Sequence, residues 1–117
     1  MVGPSSPLRS ERVYEALSDA HARRVVAACV PCAKSVKQIS QEADLPLATA
    51  YRQVGRLVER GVLVVERRAF TPEGRICDLF RSRIRSARIE LDAAGERVAW
   101  EPNEALAGPP AGWPALA

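Results

Sequence analysis

The first thirty residues contain two stretches in which apolar side chains recur every three or four positions, the spacing of one helix face. Ser10 is a candidate N-cap, and the pattern after it predicts a short helix over Glu11–Leu17. A second helix begins at Ser18 or Asp19 and ends at about residue 30, because Pro31 cannot continue it. The positions of this helix that we expect in the core are Ala22, Val25, Val26 and Cys29.

The next two helices are separated by a tight turn. Ser35, with Gln38 three residues later, forms a capping box for a two-turn helix that ends near Ala43. After the turn, a fourth helix extends from near Leu47 to Gly61, a favourable C-cap glycine. One face of this helix is apolar and carries Ala50, Val54, Leu57 and Val58. The opposite face is polar and carries Thr49, Arg52, Gln53, Arg56 and Arg60.

Strand-forming residues dominate the second half of the chain. Val62–Val65 and Ile76–Phe80 predict a β-hairpin around a turn between them. The segment 76–91 also has the periodicity of an amphipathic helix, so the two interpretations compete there. We favour a second hairpin, in which Arg88–Leu91 and Glu96–Trp100 are the strands and Asp92–Gly95 is the turn.

The composition fits one small domain. The chain has 117 residues, a formal net charge of +3, 47% hydrophobic residues and 5% aromatic residues. No segment approaches the ~20 consecutive apolar residues of a membrane helix, and the start of the chain lacks the apolar segment of a signal peptide. Three cysteines do not suffice for a secreted disulfide scaffold. We therefore expect a cytoplasmic protein that does not bind membranes.

The charge is distributed unevenly along the chain. Residues 52–88 contain ten arginines and four acidic residues, a net charge of +6, whereas residues 89–117 contain one basic and five acidic residues, a net charge of −4. Such a block indicates either a polyanionic partner or a solvated charged face. The use of arginine favours the partner, since the guanidinium group binds phosphate and guanine in a bidentate manner.

The order of these elements is that of a winged helix-turn-helix domain, so we predict an α+β fold with a β-hairpin wing and an additional C-terminal hairpin. Leu17–Val26, Ser35–Ala43, Leu47–Leu57 and Gly61–Leu63 resemble the corresponding segments of ArsR-like winged-helix regulators. The resemblance covers residues 10–82, and the continuation through Phe80–Arg83 is similar to archaeal members. It implies a DNA-binding transcriptional regulator.

We divide the chain accordingly into four segments. A flexible N-terminus of residues 1–9 precedes the DNA-binding domain of residues 10–82. Residues 83–101 form the C-terminal hairpin, a candidate dimerisation element. Residues 102–117 form a tail rich in proline and alanine, in which Trp113 either docks on a neighbouring molecule or is incidental.

The fourth helix is the predicted recognition helix, since residues near its N-terminus reach base edges in the major groove. Arg52 suits a guanine, Gln53 suits an adenine, and the methyl groups of Ala48 or Thr49 suit a thymine. The remaining candidates contact phosphates or the minor groove, and they are Tyr51 and Arg56 on the helix and Arg67, Arg68 and Arg75 on the wing.

The cysteines offer a second chemistry. Cys29 and Cys32 form a CxxC pair, but nothing in the sequence brings Cys77 or His21 beside them to complete a zinc site. Cys29 ends a helix on its apolar face, where the dipole disfavours a thiolate. We interpret it as a core cysteine, keep a redox pair as an alternative, and predict no metal and no cofactor.

No catalytic constellation is visible in the sequence, which has one histidine, no nucleophile elbow and no phosphate-binding glycine loop. We therefore predict no enzyme activity and expect a homodimer on double-stranded DNA, with no effector identified. Candidates for the dimer seam are Val13, Leu17, Ile89, Leu91, Val98 and Trp100. The alternatives are a winged-helix module that binds proteins of a transcription complex, and a regulator gated by oxidation of Cys29 and Cys32.

Overall fold

The computed structural model describes residues 8–103, which form four helices followed by two β-hairpins. The helices are α1 (Ser10–Leu17), α2 (Ala20–Ala28), α3 (Val36–Glu42) and α4 (Leu47–Glu59). The strands are β1 (Leu63–Phe70), β2 (Ile76–Ser82), β3 (Ile84–Asp92) and β4 (Gly95–Pro102). The predicted α+β class is therefore confirmed, with a winged helix-turn-helix and a second hairpin. Residues 1–7 and 104–117 lie outside the described part, and Trp113 is among them.

One apolar core holds the helices and the base of the first hairpin together. Val13, Val25, Ile39, Leu57 and Val62 are completely buried in it. Half-buried side chains from the rest of the fold pack against this core, and they are Leu17, Val58, Phe80, Val98 and Trp100. Burial of apolar area of this kind is the main stabilising contribution in a domain of this size.

The ends of the two helix-turn-helix helices follow the predicted local chemistry. Ser35 accepts a hydrogen bond from the backbone N–H of Gln38, and the Gln38 side chain accepts one from the Ser35 backbone, which completes the capping box. Gly61 adopts φ 78°, and its N–H bonds to the Val58 carbonyl while that of Val62 bonds to the Leu57 carbonyl. These two bonds form a Schellman motif that ends α4.

Two predicted helix ends were wrong. Ser10 is the first residue of α1, and the actual N-cap, Arg9, makes no capping hydrogen bond through its side chain. Helix α2 ends at Ala28 instead of near Val30. There the Cys29 N–H bonds to the Val26 carbonyl, three residues back, so the helix tightens and stops before Pro31.

The first hairpin is the wing. β1 and β2 pair in antiparallel register from Leu63 opposite Ser82 to Phe70 opposite Ile76, with an irregularity at Glu66. An isolated bridge between Lys34 and Phe80 adds the linker before α3 to the edge of the wing. The wing is therefore attached at its base to the helices on both sides.

The second hairpin shows that residues 84–91, for which both a helix and a strand were considered, form a strand. β3 and β4 pair from Ile84 opposite Pro102 to Asp92 opposite Gly95, and Gly95 adopts φ 118°. This register aligns Ile89 with Val98 on one face of the hairpin. That face packs on α1, so long-range pairing overrides the helical periodicity of the segment.

A buried ion pair fixes the base of the wing. Nη1 of Arg81 lies 3.1 Å from Oε1 of Glu66, and the two side chains are only 10% and 6% exposed. Nε of Arg81 donates to the Val30 carbonyl at 3.0 Å, which links the wing to the end of α2. Asn103 donates to the same carbonyl and to that of Ser82, so the end of β4 joins this network.

We expect Arg81→Met to lower the free energy of unfolding by about 3–5 kcal/mol, because it leaves the Glu66 carboxylate buried without its counter-charge. The double variant Glu66→Leu/Arg81→Met should recover most of that loss, since it removes both charges. Urea unfolding followed by circular dichroism measures both values. Equal stability of the single variant and the wild type would contradict this account.

Candidate nucleic-acid interface

Helix α4 presents one face to the core and the other to the surroundings. Ala50, Val54 and Leu57 are buried, as their spacing predicts. The exposed face consists of two neighbouring rows of residues four apart. One row carries Ala48, Arg52 and Arg56, and the other carries Leu47, Tyr51 and Gly55.

The first row begins with the small apolar residue Ala48 and continues with two positively charged arginines. Ala48, Arg52 and Arg56 are all exposed. Within residues 8–103, the guanidinium groups of Arg52 and Arg56 make no ion pair or hydrogen bond. These two cations are therefore available to an anionic or hydrogen-bonding partner. Thr49 is half-buried at the edge of this face, so its methyl group is less accessible than that of Ala48.

Gln53 departs from the prediction. It is only 5% exposed, and its Nε2 donates a hydrogen bond to Oδ2 of Asp19 at 3.1 Å. Asp19 is the N-cap of α2, and its Oδ1 accepts from the His21 N–H at 2.8 Å. Gln53 thus joins α4 to the start of α2, and its burial removes it from the face on which an adenine was expected.

The Asp19 carboxylate is stabilised in its charged form. The backbone N–H of His21 contributes most to holding the pKa of this carboxyl below its usual value. Desolvation opposes this effect, and the Gln53 amide adds to the lowering. The cap of α2 and the position of α4 therefore depend on the same ionised group.

The wing arginines occupy different environments. Arg68 donates from Nε to Oδ1 of Asp78 at 2.9 Å, so part of its hydrogen-bonding capacity is used within the wing. Arg67 and Arg75 are exposed beside the same hairpin. All three lie on the outer half of the wing, where the sequence predicted contacts with phosphates or the minor groove.

A groove runs between α4 and the wing, with a volume of about 1230 Å³. Tyr51, Gly55 and Val58 line it from α4, whereas Phe70 and Ile76 line it from the wing. Sequence reasoning found Tyr51 but missed Gly55, Phe70 and Ile76. A glycine inside a helix and two apolar residues flanking the wing turn were the available signals.

All three cysteines of the chain lie within the described residues. Cys29, Cys32 and Cys77 are free thiols, and no group of three or more potential metal ligands occurs in residues 8–103. Cys29 is completely buried, as expected of a core cysteine. Desolvation raises the pKa of its thiol to about 12, although the nearby charge of Lys34 partly offsets the rise. Its thiol is therefore protonated near neutral pH.

Across the described range, none of the helices has both the length and the apolar character needed to span a bilayer.

The two helices joined by a tight turn, the exposed guanidinium row and the adjoining wing together define a DNA-binding helix-turn-helix domain.

Comparison with known proteins supports this class. Residues 24–67 match the IclR helix-turn-helix domain, a span that begins in α2, includes α3 and α4, and ends in β1. No curated protein matches the chain. The domain match supports a helix-turn-helix transcriptional regulator and suggests a non-enzymatic DNA-binding protein. The matched domain is of the IclR type, so the ArsR-like and archaeal assignment stays a prediction.

We expect stability to fall in acid through protonation of Asp19. The pKa of Asp19 is lowered in the folded state. Its contribution to the free energy of unfolding is therefore fully present above the usual pKa of an aspartate, and it is lost as the pH falls through the lowered pKa. Asp19→Asn keeps the capping oxygen and should weaken this acid dependence. Thermal unfolding between neutral pH and about pH 2 tests the difference, and identical pH profiles for the two proteins would contradict it.

Proposed function

We propose that this protein is a sequence-specific transcriptional regulator that binds double-stranded DNA as a homodimer. Helix α4 enters the major groove, and the wing contacts the backbone or the minor groove. The observation that carries the proposal is the exposed row of Arg52 and Arg56 on the second helix of a helix-turn-helix domain. A cytoplasmic location and the ArsR-like, archaeal assignment over residues 10–82 are parts of this proposal.

The roles of the residues follow from their exposure. Arg52 lies in the second turn of α4 and donates to O6 and N7 of a guanine, while the Ala48 methyl meets a thymine. Thr49 supports that contact from the edge of the face. Tyr51 and Arg56 bind phosphates.

The wing arginines add contacts that do not depend on base sequence. Arg67 and Arg75 lie against the DNA backbone or the minor groove. Arg68 does so only if its guanidinium exchanges part of its pairing with Asp78. Each phosphate neutralised in this way makes binding more sensitive to salt.

The second hairpin supplies the dimer contact in this proposal. Of the residues expected at the seam, Val13 is completely buried in its own core, and Leu17, Val98 and Trp100 pack against that core. Ile89 and Leu91 stay exposed, by 44% and 77%. A two-fold contact through these side chains would bring two recognition helices to one pseudo-palindromic site.

Selection of bound duplexes from a random pool should return a two-fold symmetric consensus.

With such a duplex, Arg52→Ala should weaken specific binding by about 1–3 kcal/mol and relax the preference at one base pair of each half-site. Arg75→Ala should weaken selected and mixed-sequence duplexes similarly, because a phosphate contact carries no sequence information. Fluorescence anisotropy at several salt concentrations measures both effects. Unchanged duplex affinity in both variants would favour the protein-interaction module instead.

Leu91→Glu should shift the protein toward a monomer, because it introduces a charge into the apolar contact between two hairpins. Arg88→Glu changes charge on the same strand but on the opposite face, and it is the matched control. Analytical ultracentrifugation gives the dimer dissociation constant of each variant. A wild-type protein that is monomeric both alone and on selected DNA would refute the homodimer.

A further inference from the structure

Gly55 is an unexplained residue of the recognition helix. It lies in the interior of α4, on the exposed face, where glycine lowers helix stability relative to alanine. A Cβ built at this position meets no atom within 4 Å. The packing of the described residues therefore gives no reason for a glycine, whereas close approach of a second molecule to the helix backbone would give one.

Gly55 forms part of one wall of the groove between α4 and the wing. Tyr51, one helical turn earlier, lines the same wall and is 61% exposed. On the opposite wall, Phe70 and Ile76 are cross-strand partners of the wing, exposed by 65% and 64%. The groove is thus bounded by aromatic and aliphatic side chains that water covers in the free protein.

The groove is also lined by charged side chains, most of which are basic. Lys37 lines it from α3, and Arg67 and Arg75 line it from the wing. The acidic residues that line the groove are Glu73 and Asp78, and Asp78 is paired with Arg68. Basic groups beside apolar side chains favour an occupant that carries both anionic and apolar groups.

The position of the groove beside α4 indicates which kind of molecule would occupy it. Tyr51 and Gly55 belong to the row next to Arg52 and Arg56, so a duplex seated on those arginines must pass the mouth of the groove. When a helix lies in the major groove and a wing lies at the adjoining minor groove, one sugar-phosphate strand separates them. Such a strand carries phosphates on its outer side and deoxyribose C–H groups facing the bases.

We propose that the groove between α4 and the wing seats one strand of the bound duplex, with Gly55 leaving room for a deoxyribose against the helix backbone. The rings of Tyr51 and Phe70 and the side chain of Ile76 pack against the sugars. The Tyr51 hydroxyl binds a phosphate, and other phosphates lie near Lys37 and Arg75. This inference rests on the proposed DNA binding and adds to it a sequence-independent site of apolar contact. A partner protein or a second copy in the groove is a competing outcome of the test.

The first experiment separates stability from binding at one position. Gly55→Ala should raise the midpoint of thermal unfolding by about 4 °C, because alanine is the better helix former. The same change should weaken binding to selected duplexes by roughly tenfold, because the added methyl group occupies the space of the sugar. Ala27→Gly on the exposed side of α2 is the control, and it should lower the midpoint without changing duplex affinity.

The second experiment uses salt dependence to identify the kind of contact. Phe70→Ala and Ile76→Ala should each weaken duplex binding by roughly fivefold and leave the slope of log affinity against log salt unchanged, since apolar contacts release no counterions. Arg75→Ala should lower the magnitude of that slope by about 0.9. Phe70→Leu should retain most of the affinity.

Three results would overturn the inference. In the first, Gly55→Ala raises the thermal midpoint and binds selected duplexes as tightly as the wild type. In the second, the Phe70 and Ile76 variants change the oligomeric mass but not the duplex affinity, which would assign the groove to a second copy. In either of these two cases, a loss of specific affinity in Arg52→Ala would show that the proposed DNA binding is correct although the groove does not hold a DNA strand. In the third, the wild type binds no duplex, and both proposals fall.

Discussion

The orientation of α4 about its own axis is the constraint on which the rest of the interface depends. Burial of Ala50, Val54 and Leu57 sets that orientation, and the hydrogen bond from Gln53 to Asp19 secures it on one side. A rotation by one residue position, about 100°, would bury a guanidinium group and expose part of the core. The exposed arginine row and the groove wall are therefore consequences of the packing on the opposite face.

Local signals in the sequence predicted much of the helix-turn-helix because its ends are defined by local chemistry. The capping box at Ser35 and the glycine at position 61 each act within a few residues, so their spacing alone reveals them. Gln53 could not be placed in the same way. Its partner, Asp19, is 34 residues earlier, and a polar residue at the margin of a helix face gives no local sign of a buried partner.

The second hairpin shows a different limit of sequence reasoning. The segment 76–91 satisfies both periodicities, and its strand conformation is decided by long-range pairing. Its first part is β2, which pairs with β1, and its second part is β3, which pairs with β4 in the hairpin that packs on α1. The pattern also does not tell whether an apolar residue packs in its own core or against another molecule. Val13 is fully buried, whereas Leu91 is 77% exposed, although both were expected at the seam between two copies. Only the three-dimensional arrangement separates these two cases.

The attachment of the wing links the fold to its use as an interface. Arg81 binds Glu66 and the Val30 carbonyl, Asn103 binds the same carbonyl, and the bridge between Lys34 and Phe80 holds the other side of the wing. These buried contacts fix the wing at its base, while its outer residues stay exposed. The distance between the wing and α4 is therefore set by these contacts at the base of the wing rather than by the turn at its tip. A groove of preset width favours an occupant of constant width, and a sugar-phosphate strand has that property whatever its base sequence.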